Sequence, residues 1–163
     1  MDLPQSHLRT TRRRGVTLLE LLVVVTLMGT LSTVVVTHYG RDIFSDMGAR
    51  SDAHRLWLDM QHAKALAIRN GNSFSVVFQE GSGGSLAGYR IDERTATGGQ
   101  KTVGEPSTFS SDIRVTATAT AVDFTFEGNA TTACSVNLQG PNRTWALNVV
   151  PLSGSVRISE VSP

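Results

Sequence analysis

Residues 12–36 read RRRGVTLLELLVVVTLMGTLSTVVV. The stretch opens on three arginines and a glycine, then runs apolar for 21 residues with one charge, Glu20. A helix rises about 1.5 Å per residue, so residues 16–36 span roughly 30 Å, the thickness of a bilayer core. Many of these residues are β-branched and poor helix formers in water. In lipid the backbone must satisfy its own hydrogen bonds, and helix remains the expected state. A cleaved secretory signal has a shorter apolar core, followed by a small-residue cleavage site. The run is too long for that, and no such site follows. A plain signal anchor fits the length, with Arg12, Arg13 and Arg14 holding the N-terminus in the cytoplasm. It leaves Glu20 unexplained, because a carboxylate within a membrane helix is costly and asks for a partner.

The order of features in RRRG-VTLLE resembles the type IV prepilin motif: a basic leader ending in glycine, then an apolar helix with glutamate at its fifth position. The resemblance implies cleavage by a prepilin peptidase between Gly15 and Val16 and N-methylation of Val16. Phenylalanine is commonest at that position, and valine departs from it. Glu20 then has an expected role. In an apolar helix bundle its carboxylate neutralises the Val16 amine of a neighbouring subunit, each offsetting the other's desolvation and fixing axial register.

Past the apolar run the pattern becomes one-sided. Ala49, Ala53, Leu56, Met60, Ala63 and Ala67 recur at alternating three- and four-residue steps, with Trp57 and Ile68 beside them. Asn70-Gly71 is a helix stop. One helix from Val16 to about Arg69 is predicted. Beyond Gly71 the period falls to two. Residues 73–79 and 88–92 read as a hairpin across the glycine-rich stretch 81–84, and residues 93–112 as a long loop. Strands are predicted over 113–118, 122–126, 134–138, 145–150 and 155–158. The predicted class is α+β, a long N-terminal helix packed on an antiparallel β-sheet domain. The division is a leader over 1–15, a transmembrane and filament-core helix over 16–40, and a periplasmic globular domain over 41–163.

That layout extends the resemblance to the GspH/FimT group of minor pseudopilins and minor pilins. It is carried by RLWLDMQHAKALAIRNGNSFSVVF, FTFEGNA and WALNVVPLSGSVRI. It implies a minor pseudopilin of a type II secretion system, or alternatively a minor pilin of a type IV pilus serving adhesion or DNA uptake. The implied partners are the prepilin peptidase, other major and minor pseudopilins, the secretion assembly platform and the inner membrane. The resemblance also implies a single membrane crossing, with the N-terminus cytoplasmic and the C-terminal domain periplasmic. A stand-alone membrane-anchored binding module is a third reading.

Composition bears on the alternatives. Of 15 basic and 14 acidic residues, Arg9, Arg12, Arg13 and Arg14 fall in the first fifteen positions against Asp2 alone. The remainder is slightly acidic, and nucleic-acid binding is not expected. Arg90, Arg94, Lys101, Arg143 and Arg157 read as scattered surface charge. Cys134 is the only cysteine, so the chain has no internal disulfide and no cysteine cluster for zinc. It is expected in a strand, half-buried. His54 and His62 lack metal-ligand spacing, Asp92-Glu93 reads as a solvated pair, and residues 81–84 lack the Lys-Ser/Thr of a phosphate-binding loop. No catalytic residue, cofactor or metal is expected, and the chain does not read as an enzyme.

Overall fold

The computed structural model describes residues 17–95 and 98–161. The helix α1 runs Leu18–Asn70 and is shared by two compact units that divide between Tyr39 and Gly40. In the first unit, side chains from Leu18 to Thr37 are all exposed. In the second, the helix buries the stripe predicted for it, with Ala49, Ala53, Leu56, Met60, Ala63 and Ala67 wholly inaccessible. Four of those six are alanines, which let the helix backbone approach the strands closely. Leu66 joins them, whereas Ile68 is 53% exposed. Gly71 ends the helix in the left-handed conformation (φ 70°), its N–H donating to Ala67 O at 3.0 Å.

Eight strands follow: β1 Ser73–Glu80, β2 Leu86–Arg94, β3 Gln100–Thr108, β4 Arg114–Ala117, β5 Ala121–Phe124, β6 Cys134–Gln139, β7 Thr144–Val150 and β8 Ser155–Val161. They form two antiparallel sheets of four, ordered β3-β2-β1-β5 and β4-β6-β7-β8. Inward residues of both sheets, among them Phe74, Val76, Phe124, Val136, Leu138 and Leu147, share one core with the helix stripe. Cys134 is buried there as well, and burial pushes its thiol pKa up.

The α+β class is as predicted, with two differences. The long loop expected over 93–112 contains β3. That strand lies on a sheet edge and is exposed along nearly all its length, so no apolar alternation marks it. Its Gly104 and Pro106 read as turn signals. They fall where the β2–β3 register shifts, between the pairs Tyr89–Ser107 and Ile91–Val103. Also, the strand predicted over 122–126 ends at Phe124, and Phe126 is 57% exposed.

Candidate assembly segment

The helix begins at a capping residue. Thr17 precedes the first helical residue, Leu18, and its Oγ1 accepts the Glu20 backbone N–H at 3.2 Å. Thr17 O accepts the Leu21 N–H at 3.1 Å, the first bond of the helical ladder. Thr17 and Glu20 thus stand at the ends of a Thr-x-x-Glu capping signature. The sequence reading passed over Thr17, although the three-residue spacing to Glu20 was there to find it. Glu20 is an acid in the first turn, where the helix dipole favours negative charge.

Residues Leu18–Thr37 are long and apolar enough to cross a membrane, and none is buried by the chain itself. Their polar side chains divide into two kinds. Every hydroxyl is satisfied within the helix. Thr26 donates to Leu22 O and Val23 O, Thr30 to Leu27 O, and Ser32 to Met28 O, at 2.8–2.9 Å. Thr33 donates to Gly29 O and Thr37 to Thr33 O, both at 2.9 Å. Such back-bonding is what a hydroxyl needs in hydrocarbon. The Glu20 carboxylate is exposed and has no hydrogen-bond partner among the described residues. Gly15 and Val16, the residues expected at the cleavage point, lie outside the described residues.

In the second unit, Asp46, Asp52 and Asp59 of the helix are turned toward the sheets and their connecting segments. Asp46 accepts the N–H groups of Asn142 and Arg143 at 3.1 and 3.2 Å, and the Asn142 amide at 3.1 Å. Asp52 accepts the Ser110 N–H at 2.8 Å. Asp59 accepts the hydroxyl of buried Tyr89 at 2.5 Å. Burial first, and then that bond, raise the Tyr89 pKa well above the ordinary value. The Trp57 indole donates to Val156 O at 2.9 Å, which ties the helix to the edge of the second sheet. His54 and His62 are both exposed. His54 Nδ1 lies 3.0 Å from Arg50 O, and its ring meets Trp145 edge-on at 6.1 Å. Among the described residues, no three His, Cys, Asp or Glu side chains are grouped to hold a metal ion.

The prokaryotic N-terminal methylation motif matches residues 10–36, a span that includes Gly15, Val16 and Glu20. No curated protein matches the chain in sequence. Solved structures match in shape. The minor pseudopilin EpsH from the type 2 secretion system of Vibrio cholerae gives a TM-score of 0.58 at 15% identity, covering 71% of this chain and 97% of that one. The type IV minor pilin FimU of Pseudomonas aeruginosa gives 0.55 at 16% identity, covering 74% and 96%. The chain therefore carries a prokaryotic N-terminal methylation motif on the fold that EpsH and FimU share.

Proposed function

We propose that this chain is a minor pseudopilin of a type II secretion system, helping to initiate or cap the short filament that drives protein export. Cleavage between Gly15 and Val16 by a prepilin peptidase, and methylation of Val16, yield the mature subunit. The apolar helix holds it in the inner membrane, with the leader cytoplasmic and residues 41–163 periplasmic. From there it joins other pseudopilins on the secretion assembly platform. The observation that carries this reading is the Glu20 carboxylate. It is exposed on a segment whose every hydroxyl is already satisfied, and it lies four residues from the amine that cleavage would create. Its role is structural; nothing in it calls for catalysis. The FimU likeness favours a second reading of the same assembly chemistry, a minor pilin of a type IV pilus.

Mass spectrometry of the membrane-extracted protein tests processing: the expected N-terminus is methylated Val16. An intact Met1 start in cells with active prepilin peptidase overturns the proposal and leaves an anchored module. Glu20→Leu tests assembly. It makes the helix more lipophilic, so insertion is retained. In a filament it strands a neighbour's amine, and breaking a buried pair costs about 3–5 kcal/mol. Cleavage should persist while crosslinking to other pseudopilins is lost. Deleting the gene separates the two readings, through loss of secretion or loss of pili.

A further inference from the structure

Each of the two sheets has two edge strands, and all but one of these edges are closed or blunted. On β4, the Ser85 hydroxyl accepts the Val115 N–H at 3.0 Å and donates to Val115 O at 3.4 Å. On β5, the Thr131 N–H donates to Asp123 O at 2.9 Å, and Ala130 bridges to Phe124. On β3, the irregular pairing around Gly104 and Pro106 interrupts the ladder, and Pro106 has no N–H to offer. The remaining edge, β8, holds neither glycine nor proline, and its Val156, Ile158 and Val161 suit a strand. Val156 O accepts the Trp57 indole N–H at 2.9 Å and so points away from β7. Alternation along the strand turns the N–H and C=O groups of Ile158 and Glu160 the same way. Among the described residues, nothing bonds to those groups from that side. A core row of Val136, Leu147 and Ile158 also stops at this edge, wholly buried at the first two and half-buried at Ile158.

We propose that β8 is an acceptor edge, to which an extended segment of a different polypeptide adds as a further antiparallel strand. Every pairing already in that sheet is antiparallel, and main-chain bonds to Ile158 and Glu160 would hold the newcomer. Such a segment needs an apolar residue opposite Ile158, to continue the core row. It needs an acid opposite Arg157, which is exposed and has no ion-pair partner among the described residues. Glu160 already faces Arg143 of its own chain at 3.3 Å and asks less of a partner. A second copy of β8 does not fit, because outward residues must face outward residues across a new ladder. Antiparallel registers set Ile158 against Glu160 of the copy, or Glu160 against itself, or Glu160 against Val156, whose carbonyl Trp57 already holds. Parallel in-register pairing sets Arg157 beside Arg157 and Glu160 beside Glu160. Neither leader cleavage nor Glu20 enters the test of this edge, so it and the proposed filament role fail separately.

The full-length chain in neutral lipid nanodiscs is titrated with a fluorescent Thr-Lys-Thr-Val-Glu-Thr peptide blocked at both ends, with empty nanodiscs as the blank. Paired antiparallel, its valine falls opposite Ile158 and its glutamate opposite Arg157. Binding should slow amide exchange at Ile158 and Glu160, while Arg157 and Ser159, turned toward β7, change little. Replacing the peptide's glutamate by lysine should weaken binding about threefold or more, and the difference should shrink with salt. N-methylation of the valine, whose N–H points at β8, should remove binding. N-methylation of the glutamate, whose N–H points away, should spare it. Glu160→Pro removes an outward N–H and no bond to β7, so the variant should melt like wild type and lose the peptide. Arg157→Glu should reverse the preference between the two peptides, and its gain of lysine-peptide binding shows that it is folded. Absence of binding to either peptide, equal binding of the two N-methylated forms, or unchanged binding by Glu160→Pro overturns the proposal. So does self-association that Glu160→Pro abolishes, which assigns the edge to a second copy.

Discussion

Gly154 and Gly71 both adopt left-handed backbone conformations, at φ 56° and 70°, yet the cost of replacing them differs. A Cβ at Gly154 would stand 2.2 Å from Gly128 O, whereas one at Gly71 meets nothing within 4 Å. Gly71→Ala adds backbone strain alone, about 1 kcal/mol. Gly154→Ala adds a steric clash with the 128 turn and should cost about 2–4 kcal/mol. Denaturant midpoints of the two variants check the order. Tyr89 sets a pH response. Its folded pKa lies above its unfolded value of about 10, so the neutral phenol's contribution is complete below that value and is lost as pH rises through the folded pKa. An ultraviolet titration of the two tyrosines, Tyr39 and Tyr89, should show one ionising late, together with alkaline unfolding. Two tyrosines titrating together near pH 10 in folded protein would contradict the buried Tyr89–Asp59 bond.

The helix and the sheets were not equally legible. The helix announced itself twice, as an unbroken apolar run and as a three-four stripe, because one face or the whole circumference had to be apolar. Strands β1, β5, β6 and β7 were found for the same reason, since each buries alternate residues. Strand β3 packs almost nothing and left no pattern. The division into two sheets depends on pairings between distant residues, such as Phe74 with Phe124, which no local period encodes. At the assembly segment, Glu20 stood out because charge in an apolar run is costly. Thr17 did not, because a threonine among apolar residues is inexpensive in a helix. Nothing local in the sequence distinguishes Asp46, Asp52 and Asp59 from other charges off the apolar stripe, and their bonds to the sheets and connecting turns appear only in three dimensions. Asp46 tests those bonds at the level of elements. Asp46→Ala releases the turn that joins β6 to β7 and should cost about 1–2 kcal/mol, since water can replace part of what is lost. Thermal unfolding of the variant measures it. Faster amide exchange in residues 140–143 would locate the change.

At the scale of the molecule, the two units make different demands on solvent. The second has a core drawn from the helix and both sheets, while the first has side chains exposed throughout residues 17–37. A chain beginning near Arg41 keeps the Ala49–Ala67 stripe with its packing partners. We expect it to be a soluble monomer with a single cooperative unfolding transition. Aggregation, or a broad non-cooperative melt, would place the boundary of the folding unit elsewhere.

The hydroxyls of residues 26–37 bear on what it would cost the first unit to exchange one apolar surrounding for another. Each is committed to its own backbone, so the outer surface of that stretch offers neighbours dispersion contacts and no directional bonds. A lipid tail and an apolar helix are then nearly equivalent neighbours, and exchanging one for the other breaks no hydrogen bond along the segment. Such helices meet little resistance to sliding or turning against each other. A bundle of them would shear like a lubricated bearing, and its axial indexing would rest on the one group not so committed, at position 20.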